Sequence, residues 1–188
     1  MKDRQENSSR VPIMDAAAIE RALCRVAHEI IEGNSELGSV VLAGIPSRGV
    51  EIARRIAEFI RAIEQTDIET GIVDVAMHRD DVGTRAELPV VHASKLPLPL
   101  EGRTLIIVDD VLCTGRTVRA AMDAISSFGR PARIQVAVLI DRGHRELPIR
   151  PDYVGKNLPT AANEKVRVRI GSGDEPDAAW LLKPEEKE

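Results

Sequence analysis

Two adjacent carboxylates, Asp109 and Asp110, stand just ahead of a Thr114-Gly115-Arg116-Thr117 turn, and an apolar run over 105–108 leads into them. That order reads as a strand, an acidic edge and an anion cradle. Leu105, Ile106, Ile107 and Val108 carry no polar group, as a parallel strand buried on both faces requires. Gly115 lets the backbone approach a ligand closely, and the N–H groups opening the following helix point at whatever sits there. A phosphate fits that position. The carboxylates would repel it, so they must face a polyhydroxylated group or a divalent cation beside it. A sugar phosphate meets both demands. The plainer reading makes the Asp or Thr a simple helix cap. It is outweighed by two acids, a Gly and two Thr sharing one turn at a strand's carboxyl end, the usual ligand position in open α/β sheets.

The elements that must hold this turn alternate along the chain. Asp15 can cap a helix whose apolar positions Ile19, Leu23, Val26, Ile30 and Ile31 follow a 3.6-residue period and stop at Gly33. Residues 40–43 read as a short buried strand, 44–49 as a turn, 50–63 as a helix and 71–77 as a strand. The signature strand follows, then a helix ending at Gly129, an apolar strand over 134–140, and a half-exposed strand over 165–170 where charged and aliphatic residues alternate. The expectation is an α/β fold with a mostly parallel central sheet flanked by helices. Residues 79–101 show no period and contain Pro89, Pro97 and Pro99; a connection longer than about 12–15 residues is usually functional or disordered, and we read it as a lid. Residues 13–171 form one expected domain. The segments 1–12 and 172–188, the second acidic and Pro-containing, are read as tails, the latter expected to fray.

Composition narrows the function classes. A chain of 188 residues, 43% hydrophobic and 30% charged, suits one globular domain. Only 2% of residues are aromatic, so the core must be aliphatic, and the single tyrosine, Tyr153, becomes a candidate for stacking. No apolar run reaches membrane-span length and the N-terminus lacks a signal-peptide core, so a cytoplasmic location is expected. Cys24 and Cys113 lie in no metal-binding or redox spacing and are expected to be reduced thiols. The run from Gly44 to Gly49 superficially suggests a triphosphate-binding loop, but Val50 stands where Lys is needed, and no GxGxxG occurs. Nucleoside triphosphate and dinucleotide readings therefore fail. A net charge of −4 gives no global attraction for nucleic acid. The charge is uneven, however: 142–169 holds seven Lys or Arg against three acids, and Arg21, Arg25 and His28 share one helix face.

The stretch 105–118 resembles the phosphoribosyl pyrophosphate (PRPP) signature of type I phosphoribosyltransferases, an apolar strand, two acids and a Thr-Gly-(Arg/Lys)-Thr loop. The more specific segments 141–150 and 152–160 resemble the PyrR family, which combines attenuation of pyrimidine operons with uracil phosphoribosyltransferase activity. Similarity runs from about Ile13 to Ile170. It implies the type I phosphoribosyltransferase fold, with a small hood built from residues near the N-terminus and from 141–171, and a flexible lid. It also implies conversion of uracil and PRPP to UMP and pyrophosphate, with Asp109, Asp110, Arg48 and Arg79 as catalytic residues. Ser47, Gly49, Thr114, Gly115, Arg116 and Thr117 would join the two acids in binding PRPP. Mg2+ would arrive with PRPP and touch Asp109 or Asp110. Tyr153 would stack on the base, the Val154 backbone would read its edge, and Lys156 would approach its carbonyl or phosphate side. Cys24, Arg25 and His28, together with His144, Arg145, Arg150 and Lys156, would line a basic concave surface for an mRNA leader hairpin, bound in response to UMP. A homodimer or higher oligomer is implied. The alternatives are an RNA-binding regulator with vestigial catalysis and a phosphoribosyltransferase for another base. Cys113 and His78 stand where the family usually has Tyr, Cys24 where it has Thr, and 82–100 diverges almost completely.

Overall fold

The computed structural model describes residues 8–76, 93–171, 173 and 175–184. The Asp15 carboxylate accepts from Ala18 N–H at 2.7 Å and starts α1 (Ala16–Gly33), whose apolar stripe, from Ile19 to Ile30, is buried. After β2 (Val40–Gly44) come α2 (Arg48–Glu64) and β3 (Glu69–Ile72). Further on, β4 (Thr104–Leu112) leads into α3 (Arg116–Ser126), and β5 (Arg133–Asp141) and β6 (Tyr153–Asn157) follow. These five strands form one sheet in the order β3-β2-β4-β5-β6, parallel throughout. Helices α1 and α2 cover one face, packing on Leu42, Ile106 and Val108, while α3 covers the other against Ala43, Leu105 and Ile107. Burial on both faces explains the unbroken apolar runs of β2 and β4. Chain order reverses between β2 and β4, the switch point at which open α/β sheets take ligands.

A second sheet is antiparallel: β1 (Ser8–Met14), β8 (Ala178–Pro184) and β7 (Lys165–Arg169), with β8 in the middle. This corrects the two expected tails. Ser8–Met14 and Ala178–Pro184 pair with each other, and Ala179 and Val168 are buried in the same core as α1. The expected strand at 71–77 is shorter and begins earlier; Val73 and Val75 are buried without a ladder, and position 77 lies outside the described residues. The lid expectation is corrected at its carboxyl end. Lys95 exchanges backbone hydrogen bonds with Ile72, and Leu100 is fully buried, so 93–101 is part of the body. The rest of that expectation, with His78 and the Arg79-Asp80-Asp81 run, lies outside the described residues.

Candidate active site

Strand β4 runs past both acids to Leu112, further than the sequence reading placed its end. The reason is asymmetric pairing. On one side β5 continues the ladder, with Asp109 opposite Val138 and Leu112 opposite Asp141, whereas β2 ends where Gly44 meets Val108. Asp109 and Asp110 therefore emerge at the carboxyl end of β2, where β4 has lost that neighbour. Into this notch comes the first turn of α2. A Cβ on Gly49 would lie 2.3 Å from Val108 O and 3.2 Å from Asp109 Cα, so only glycine permits the approach. Ser47 precedes the helix without capping it by its side chain, and the exposed Arg48 places Nη1 3.4 Å from Asp110 Oδ2. The other carboxylate oxygens turn inward: Asp109 Oδ1 accepts from Asp110 N–H and Asp110 Oδ1 from Val111 N–H, both at 2.9 Å. These bonds fix the orientation of both acids.

The turn at 114–117 flanks the acids on the far side. Gly115 sits at φ +92°, a conformation that costs glycine little, and begins α3 with no side chain to cap it. Thr114 Oγ1 accepts from Arg116 N–H at 3.3 Å, and an anion in the turn would complete the cap. Behind the turn lies the segment 142–150. Glu146 and Leu147 N–H both donate to Thr114 O, Arg116 Nε reaches Glu146 Oε2 at 2.7 Å, and a Cβ on Gly115 would meet Ile149 and Leu147 at 3.3 and 3.4 Å. Two helix N-termini thus converge on either side of one acidic pair. Such a frame suits a substrate with anionic groups at both ends and hydroxyls between them. Among the described residues no group of three or more His, Cys, Asp or Glu is placed to hold a metal ion. Two carboxylates can still supply part of the shell of a Mg2+ whose remaining ligands are substrate oxygens and water.

The phosphoribosyl transferase domain family matches residues 12–169. Three curated relatives, each named bifunctional protein PyrR, are close in sequence. The one from Roseiflexus sp. (strain RS-1) is 54% identical over 86% of this chain and 88% of its own length. That from Chloroflexus aurantiacus is 55% identical over 91% and 94%, and that from Pelotomaculum thermopropionicum 50% over 94% and 98%. This chain belongs to the PyrR family of phosphoribosyltransferases. Among solved structures, the hypoxanthine phosphoribosyltransferase of Trypanosoma cruzi in complex with IMP superposes with a TM-score of 0.65 at 18% identity, covering 97% of this chain and 94% of that one. A Staphylococcus aureus hypoxanthine phosphoribosyltransferase gives 0.66 at 17% identity, covering 98% of each. These likenesses show the type I phosphoribosyltransferase fold. Mg2+ generally accompanies PRPP in enzymes of this fold, consistent with the partial shell above.

Within this PyrR frame the remaining sequence-derived residues fall into two groups. Tyr153, read from the sequence as a stacking ring, faces the core. Its side chain is buried under α1, its hydroxyl accepts from Asn34 Nδ2 at 3.0 Å, and a Cβ on Gly33 would come within 2.7 Å of it. Burial pushes its phenol pKa up, against the hydrogen bonds from Asn34 and Gln135. The Val154 carbonyl accepts from Arg25 Nη2 at 3.2 Å, as does that of Gly155 at 2.6 Å, so Arg25 straps α1 to the β6 edge while also pairing with Glu29. Arg145 is likewise bound into the fold, and His144 holds Nε2 2.7 Å from Thr160 O. His28, Arg150 and Lys156 are exposed, while Cys24 is half-buried. Sequence reasoning did not single out an open cleft of about 290 Å3 whose lining includes Asp141, Arg142, His144, Asn157 and Thr160, at the carboxyl ends of β5 and β6. Its residues come from the two motif segments, 141–150 and 152–160; the spacing alone gives no sign that they meet.

Proposed function

We propose that this chain transfers a 5-phosphoribosyl group from PRPP to uracil, giving UMP and pyrophosphate, and that it also binds a leader hairpin of pyrimidine-gene mRNA in response to UMP. The observation that carries the catalytic reading is the convergence of the α2 and α3 N-termini on the Asp109–Asp110 pair. In this reading the α3 turn, with Thr114 to Thr117, receives the 5′-phosphate, and Ser47, Arg48 and Gly49 at the α2 turn receive pyrophosphate. The bond from the anomeric carbon to pyrophosphate breaks ahead of formation of the bond to the uracil nitrogen, whose proton is released to solvent. Positive charge then grows on the ribose while negative charge grows on the leaving group. Asp109 and Asp110, held by the amides that follow them, take the ribose hydroxyls and face the cationic carbon. Arg48, already 3.4 Å from Asp110, is placed to swing its charge to the leaving oxygens. Mg2+ carried with PRPP would supply further charge neutralisation there, with Asp109 or Asp110 as its protein ligand.

The regulatory reading is supported by the PyrR relatives and by exposed basic side chains on two neighbouring elements, His28 on α1 and Lys156 on β6. A homodimer would enlarge that surface. Purified protein supplied with uracil, PRPP and Mg2+ is expected to release UMP, and Asp110→Asn to lower kcat by about 10²–10³, the scale of losing one preorganised charge contact. Turnover with guanine or hypoxanthine and none with uracil would refute the assignment.

A further inference from the structure

Resting on the assignment of the 114–117 turn to the 5′-phosphate, we propose that Arg145 is a positioning residue that sets this turn and couples its occupancy to the basic surface, rather than a contact to RNA. The guanidinium carries five N–H groups. Nε donates to Ile149 O at 2.8 Å, Nη1 to Cys113 O at 2.8 Å and to Gly143 O at 3.2 Å, and Nη2 to the Asp141 carboxylate at 2.6 Å. Four of the five donors are thus spent on its own chain, and the charge is paired. What remains cannot make the two-pronged grip by which Arg holds a phosphate.

The partners identify what Arg145 does instead. Cys113 O belongs to the residue between β4 and the phosphate turn, and Asp141 ends β5, the strand paired with β4. Ile149 packs behind Gly115. Arg145 therefore joins the strand end, the turn and the segment 142–150 through one rigid fork. The same segment is held to Thr114 O by the Glu146 and Leu147 amides, and it carries His144 and Arg150. A phosphate that tightens the turn must therefore tighten the backbone presenting those two side chains. Release of the clamp should loosen both together.

The test compares Arg145→Lys, Arg145→Ala and Lys156→Ala by thermal melting, PRPP KM and kcat, UMP affinity, and RNA affinity across a salt series with and without UMP. Lysine keeps the charge and loses the fork. The clamp predicts that Arg145→Lys raises the PRPP KM and UMP Kd by at least about tenfold, the scale of losing a charged hydrogen bond, with kcat changed less. It also predicts that UMP no longer tightens RNA binding while the salt slope stays that of the native protein. Lys156→Ala removes an exposed charge and should lower the slope by about one. Arg145→Ala should reproduce the lysine variant; if it melts below assay temperature, the folded lysine variant carries the test. An Arg145→Lys protein with native PRPP KM, native UMP affinity and intact UMP response overturns the proposal, as does a slope lowered by about one in Arg145→Ala. Failure of the native protein to bind UMP or PRPP defeats the phosphate assignment itself, a distinct result.

Discussion

Replacing Gly49 by alanine probes the notch between α2 and β4 with a single methyl group. The added Cβ would stand 2.3 Å from Val108 O and 3.2 Å from Asp109 Cα. Both are backbone atoms, so no side chain can swing aside. To reach an ordinary contact the helix N-terminus must retreat by roughly 1 Å, and overpacking of this kind costs about 1–3 kcal/mol. In a chain of this size each kcal/mol lowers Tm by about 2–4 °C, so melting should fall by roughly 2–12 °C. The chemical loss should be larger than the stability loss suggests. A displacement of about 1 Å in a positioning element can cost about 100-fold in rate, and here Ser47 and Arg48 move with the helix. Gly38 is the control, because an added Cβ there meets nothing within 4 Å; Gly38→Ala should change stability by less than about 0.5 kcal/mol. The assay is calorimetric or dichroic melting beside kcat/KM for PRPP. A Gly49→Ala protein with native Tm and native kcat/KM would refute the claim that this approach builds the site.

Other consequences concern the scaffold. Arg54 and then Arg55 hold the Glu51 carboxyl down to about 2 from 4.5, against burial. The native state therefore gains stability from this group above about pH 4.5 and loses it as pH falls toward 2. After solvent screening the effect is on the order of 1 kcal/mol, so in urea unfolding the advantage of the native protein over Glu51→Gln should shrink steadily between pH 6 and pH 3. A gap that widens with acid would contradict the sign. Tyr153→Leu should cost about 1–3 kcal/mol by removing a buried ring and its bond to Asn34, with the uracil KM unchanged. A large rise in that KM without loss of stability would restore the stacking role.

Much of this architecture is legible in the sequence where one local signal suffices. β2 and β4 announce themselves as apolar runs because both faces are covered, and α1 by its period and its Asp15 cap. The acid pair and the Gly115 turn are legible for the same reason, since their chemistry is contiguous. β8 is hidden because Gly171, Gly173, Asp174, Glu175 and Pro176 colour the run before it as a tail, although 178–182 is apolar and becomes the central strand of its sheet. β6 is five residues long and follows Pro148 and Pro151, which argue for a loop. The roles of Arg25 and Arg145 are illegible on physical grounds. Their decisive partners lie 130 and 32 residues away, and an unpaired and a fully engaged arginine look identical in a sequence.

The most direct measurement of the central claim is a crystal structure of the protein with UMP bound. The account predicts the 5′-phosphate on the backbone amides of the 114–117 turn and the ribose hydroxyls on Asp109 and Asp110. UMP bound elsewhere, with that turn and acid pair untouched, would contradict it.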